Sequence, residues 1–174
     1  MKKSLFIFIF ISIFIFHNNL YAYEIEDKLK SIIVGKIAKF INWENSDSKE
    51  FVITVYKNQL GDYFNSIHNG KKINDKKIRI DYINNIENLK FTNILYISKA
   101  TSAELSSIFN YINKKNILTI SDLRGFAQKG GIIQIYSLSQ KLKLNINLQK
   151  AKKENIRIKA SLLRMVNIVE GDKP

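Results

Sequence analysis

The sequence predicts an α/β domain built on a largely parallel sheet, and two observations carry that expectation. The runs 51–56 (FVITVY), 93–98 (NILYIS) and 117–120 (ILTI) are short, rich in β-branched, aromatic and aliphatic residues, and lack a regular polar alternation, as strands buried on both faces do. Segments with helical spacing lie between them, and alternation of buried strands with helices is the signature of a parallel sheet with crossover connections.

Each element has its own local reason. Residues 24–42 place Ile25, Leu29, Ile32, Ile33, Ile37, Phe40 and Ile41 at three- and four-residue steps, which predicts a helix. Glu24, Glu26 and Asp27 sit in its first turn, where the helix dipole favours acid. Trp43 ends the run, and residues 45–48 (NSDS) read as a loop. After the first strand, 60–67 reads as a short helix stopped by Asn69-Gly70, and 76–82 alternates as a second strand. Thr101 or Ser102 caps a helix running through Asn113, with Glu104 placed to close a capping box on Thr101. Segments 131–136 and 141–147 read as two strands joined by a short Ser/Gln turn, hence a hairpin, and 148–154 and 159–169 read as helices. Nothing marks an internal domain boundary, a repeat or a linker.

The first residues have the layout of a secretory signal peptide. Lys2 and Lys3 precede twelve residues, Leu5–Phe16, that are apolar except for Ser12, and Leu20-Tyr21-Ala22 ends the segment. A spanning helix needs about 20 apolar residues. The expected organisation is therefore a signal peptide over 1–22, cut near Ala22, and a single α/β domain over 23–174, placed in the periplasm if the cell has two membranes. With no cysteine there is no disulfide and no lipid-modified cysteine. The formal charge is +13. The lysines are scattered through a chain rich in Ile, Lys and Asn, so the charge does not point to nucleic acid; it leaves attraction to anionic membrane surfaces or acidic partners.

The residue types that mark common enzymes are missing. His68 is the only histidine of the expected mature chain, which excludes histidine triads and His-rich metal sites, and it reads as a surface or capping residue. No G-x-S-x-G elbow occurs. Gly125–Gly131 spaces its glycines like a phosphate loop, but Gly131 stands where the lysine belongs and the segment leads into a strand, so it reads as a glycine turn. No catalytic, cofactor-binding or metal-ligating residue is assigned. A hydrolase built on carboxylates that folding brings together is the one enzyme class left open. Two basic clusters, Lys71/Lys72/Lys76/Lys77/Arg79 and Lys150/Lys152/Lys153/Arg157/Lys159, read as solvated faces, with docking of an acidic partner as the sharper alternative.

The candidate contact residues are Asp122, Arg124 and Phe126, in the loop after the fourth strand, because loops at strand ends carry function more often than strands do. Phe126 has a plainer reading as packing. Trp43, whose plain reading is packing at the helix end, and Arg164 complete the set. Arg164 lies among Leu162, Leu163, Met165 and Val166, company in which an arginine often reaches a carboxylate, and Asp122 is its candidate partner.

Several segments taken in order resemble the YfiR family of exported bacterial proteins: 36–43 (KIAKFINW), FVITVY followed by Gly61-Asp62, NILYIS, ILTISD, the 122–132 block (DLRGFAQKGGI), Asn145-Ile146-Asn147, and 158–164 (IKASLLR). The resemblance spans nearly the whole expected mature chain. It implies a Rossmann-like fold and a periplasmic regulator without enzymatic activity. Such a protein represses an inner-membrane diguanylate cyclase through its periplasmic part, lowers cyclic-di-GMP and restrains biofilm formation. It also implies a homodimer and sequestration by an outer-membrane-associated lipoprotein. The sequence departs from the pattern in two places: Glu44 stands where the family usually has proline, and the cysteines of some members are absent. The competing reading is a periplasmic small-molecule-binding protein with its ligand at the strand ends, where parallel sheets leave a crevice.

Overall fold

The structure, a computed structural model, describes residues 24–43 and 48–171. The expected signal peptide and its cut, and most of the 45–48 loop, lie outside the described residues.

Helix α1 covers residues 24–38, and the chain then enters a two-residue strand, β1 (Ile41–Asn42). The central strands are β2 (Glu50–Tyr56), β4 (Lys76–Ile83), β5 (Ile94–Ile97), β6 (Leu118–Ser121) and β7 (Ile133–Leu138), with β3 (Lys72–Ile73) and β8 (Lys141–Asn147) as hairpin partners. Helices α2 (Tyr63–His68), α3 (Ser102–Tyr111), α4 (Leu148–Lys153) and α5 (Ala160–Leu163), and strands β9 (Arg157–Ile158) and β10 (Asn167–Val169), complete the chain. The main sheet runs β10-β8-β7-β6-β5-β2-β4-β3. Its middle, β7-β6-β5-β2-β4, is parallel throughout. The expected mostly parallel, Rossmann-like α/β fold with a C-terminal hairpin is the fold observed.

Helices on both faces explain why the central strands carry no polar alternation. One face packs Ile53, Val55, Ile94, Tyr96, Leu118, Ile120 and Ile133 under Val34, Ile37 and Ala38 of α1 and Phe64 of α2. The other packs Tyr56, Leu95 and Ile97 under Leu105 and Ile108 of α3 and Ile112 just after it, with Phe126 beside them. Each such side chain contributes about 1.5–3 kcal/mol by leaving water. The predicted capping box opens α3: Thr101 Oγ1 accepts from Glu104 N at 3.2 Å, and Thr101 N donates to Glu104 Oε2 at 2.8 Å. The β7–β8 hairpin turns through Ser139 (φ 50°) and Gln140 (φ 61°), both left-handed, which suits the twist of the strands it joins.

Tertiary contacts overrule the sequence pattern at two places. The apolar spacing continues to Ile41, yet α1 stops at residue 38 because Ile41 and Asn42 pair antiparallel with Ile158 and Arg157. The helix expected over 159–169 is only the single turn of α5. Asn167–Val169 becomes strand β10, parallel to β8 in the register Asn167↔Asn145. Residues 166–169 (VNIV) are three-quarters β-branched and pair with the otherwise open edge of β8.

Candidate interaction site at the strand ends

The chain leaves β6 by a turn that Ser121 fixes. Its buried Oγ donates to Ile97 O at 2.6 Å and accepts from Leu123 N at 3.1 Å. Asp122 is thereby presented at the carboxyl end of the strand, where Lys30 of α1 meets it with Nζ 2.7 Å from Oδ2. The same ammonium lies 3.1 Å from Glu26 Oε1 and 3.2 Å from Asp27 Oδ1. The Lys30 side chain is only 7% exposed. Burial alone opposes its charge, but the hydrogen bonds to Asp122, Glu26 and Asp27 and the Asp122 charge outweigh that and hold its pKa above the ordinary lysine value. Asp27 is raised above the usual carboxylate range, first by burial, with the hydrogen bond from Lys30 pulling the other way.

Asp122 and Arg124 converge. Together with Glu26, Lys30, Gln134 and Tyr136 they line a cleft of about 310 Å³. Arg124 is exposed. Gln134 is 94% buried, with an Oε1 that has no hydrogen-bond partner among the described residues. Phe126 is placed differently from a contact residue. It is wholly buried, its ring 5.7 Å from that of Phe109, and it anchors the loop rather than facing a partner. The loop's other end is tied by Asn147 Nδ2 donating to Ala127 O at 2.9 Å and by Ile132 N donating to Thr119 Oγ1 at 3.0 Å.

The other two candidates stand elsewhere. Trp43 lies by the amino ends of the strands, its Nε1 donating to Ala38 O at 2.7 Å and its ring edge-on to Phe51 at 4.9 Å, which is the packing role. Arg164 is exposed beyond α5, and the Asp122 partner is Lys30, not Arg164. The reason is positional: Lys30 sits on the inward stripe of α1, directly over the end of β6. His68, read from sequence as a surface or capping residue, is buried at 3% exposure, with Nε2 3.0 Å from Ser31 O.

Sequence reasoning missed Lys30, Glu26 and Asp27, although a signal was present. Asp27, Lys30 and Ser31 continue the stripe of Val34, Ile37 and Ala38 at three- and four-residue steps, and all six are buried. A lysine on the buried face of a helix requires a carboxylate from outside that helix or close along it.

The model of the YfiR/HmsC-like family matches residues 27–167, from the first turns of α1 into β10. The chain belongs to the YfiR/HmsC-like family. The matched span contains Lys30, Asp122, Arg124 and Phe126, so the whole cleft except Glu26 is part of the family's domain. No curated protein matches the chain in sequence. Among solved structures the chain is similar in fold to the ABC domain from Streptococcus pneumonia solved in complex with L-Trp, with a TM-score of 0.53 at 7% identity. That likeness covers 77% of this chain and 58% of the other, and at this identity it concerns the fold alone.

Proposed function

We propose that this YfiR/HmsC-like protein is a non-enzymatic periplasmic regulator that binds and represses an inner-membrane signalling enzyme, a diguanylate cyclase, and so lowers cyclic-di-GMP and restrains biofilm formation. The family match over residues 27–167 carries this reading. The geometry supports it: Asp122 and Arg124 are held at the strand ends by a loop anchored in the core, and such a rigid charged surface suits recognition. The carboxylates gathered there are engaged with the Lys30 ammonium, a structural use of charge. A homodimer and a sequestering outer-membrane-associated lipoprotein belong to the same proposal. The experiment is recovery of partners from solubilised inner membranes with the purified protein as bait, followed by assay of the recovered cyclase with and without it. Recovery of a cyclase whose activity falls on addition of the protein supports the reading; a bait that enriches no membrane signalling protein over a charge-matched control sinks it.

A second reading has one specific observation behind it. The unpartnered Oε1 of Gln134, in the cleft that Asp122 and Arg124 line, is the feature expected of a polar small-molecule site. A small-molecule screen by thermal shift, repeated on Gln134→Leu, tests it: shifts that vanish in the variant support a ligand there, and unchanged shifts remove it.

A further inference from the structure

The outward face of α1 is unusual for a helix packed on a sheet. Its inward stripe is spent on the core, and the opposite face should then be polar. Instead it carries Ile25, 59% exposed, Leu29, 44% exposed, and half-buried Ile32, in line with Lys28, Lys36 and Lys39. Beside the last of these the fold adds a second basic element. Lys71, from the turn after α2, and Lys72, at the start of β3, join Lys36 and Lys39 around a cleft of about 380 Å³ whose lining includes Ile67 and Ile73. No carboxylate among the described residues lines that cleft. None of these four lysines forms an ion pair among the described residues, whereas Lys30, Lys57, Arg79 and Lys150 do. Lys159 Nζ donates to Lys39 O at 2.9 Å, which adds an ammonium at the carboxyl end of α1.

Sequence distance hides this arrangement: Lys36 and Lys39 lie outside the 71–79 cluster, and only the packing of α1 on α2 unites them. The chemistry identifies the occupant. A second copy of the chain seated by this same face is disfavoured, since Lys36, Lys39, Lys71 and Lys72 would meet like charge. A specific acidic protein surface is better met by arginine forks, which fix carboxylates in a set geometry; here every cation is a flexible lysine on an aliphatic stem. Lysines around aliphatic side chains on one helix face match a plane with negative charge outside and hydrocarbon beneath, because the stems lie on the apolar layer while the ammoniums reach the phosphates.

We propose that the outward face of α1, with Lys36, Lys39, Lys71 and Lys72, docks the protein peripherally on an anionic phospholipid bilayer. This stands independently of the cyclase reading, and it places the strand-end cleft close to a membrane surface without using it.

The test is co-flotation of the purified protein, its N-terminus defined by mass spectrometry, with vesicles of phosphatidylcholine alone or mixed with phosphatidylglycerol. The protein is expected to float with the phosphatidylglycerol vesicles only, and salt should release it. The double variant K36E/K71E should lower the partition coefficient at least about tenfold. The control K141E/K143E removes the same charge from the hairpin near the other edge of the sheet and should lower it less than about twofold. Leu29→Ser, at an exposed position, should weaken binding while leaving the unfolding midpoint in place. Equal losses in the two charge variants overturn the proposal, as does failure to float with anionic vesicles. Capture of an acidic membrane protein through Lys36 and Lys71 without vesicle binding also overturns it, in favour of a protein partner.

Discussion

Phe126 occupies the volume that any side chain at Gly131 would need: a Cβ placed on Gly131 would stand 2.1 Å from the ring. The relationship makes one loop out of residues 122–132, because the ring that anchors its middle also dictates the glycine at its exit. Gly131→Ala should therefore destabilise the protein by about 3 kcal/mol, the upper range for overpacking a tight site. The urea midpoint measures it. In the double variant F126A/G131A the added methyl no longer clashes, so the two losses should sum to more than the loss observed. Strict additivity would mean that the contact is not what requires glycine.

Lys30 supplies the second prediction. Lys30→Met removes the ammonium from Asp122, Glu26 and buried Asp27, and leaving carboxylates without their partner at such a site costs about 3 kcal/mol at neutral pH. The alkaline dependence has a definite sign. The folded pKa of Lys30 is raised, so its contribution is fully present below the unfolded value of about 10.4 and is lost as pH rises from there toward the folded pKa. Urea unfolding followed into the alkaline range should show this loss in the wild type and not in the methionine variant.

His68 should make the protein acid-sensitive. Its Nε2–H donates to the Ser31 carbonyl, and the rest of the ring lies against Gly35, where a Cβ would come within 2.4 Å of Cε1. Burial lowers its pKa most, the Ser31 hydrogen bond opposes, and the Lys71 charge lowers it further. The neutral ring is the folded form. Stability from this group is therefore intact above the unfolded value of about 6.5 and declines as pH falls below it. Stability curves between neutral and mildly acidic pH should slope in the wild type, while His68→Gln, less stable at every pH, should lack that part of the slope.

Arg124 tests the strand-end surface without disturbing the fold. It is exposed and beside a loop held by buried neighbours, so Arg124→Glu should change stability by no more than about 0.5 kcal/mol. Recovery of the membrane partner should nevertheless fall about tenfold, since reversing a charge at a docking face opposes the complementary charge across it. Unchanged recovery would remove Arg124 from the contact surface.

The candidate site was half visible in the chain. Asp122 and Arg124 were reachable because they follow a buried strand in a loop, the place where a parallel sheet opens. Phe126 reads from its loop position as a contact and, more plainly, as packing, and it packs: burial is a property of neighbours such as Phe109 and Gly131 rather than of the residue. Lys30 was invisible as a partner of Asp122 because ninety-two positions separate them in sequence. The pairing proposed with Arg164 failed for the same reason: sequence shows that a carboxylate needs a cation, not which cation arrives.

What the sequence by itself determined was the class of each central element. Short, mostly apolar runs are poorly suited to exposed strands, so 51–56, 93–98 and 117–120 read as strands covered on both faces with helices between them. Thr101 with Glu104 likewise settled a helix start locally, because both partners of the capping box lie within one turn. Tertiary structure alone decided where α1 ends and that 167–169 is a strand, since both depend on hydrogen bonds to distant backbone, at Arg157–Ile158 and along β8. It also decided that a lysine could be buried, that a histidine was core, and that lysines thirty-five residues apart share one face. Local backbone preference acts over a few residues, whereas pairing, burial and charge compensation are set by whatever the folded chain brings within a few ångströms.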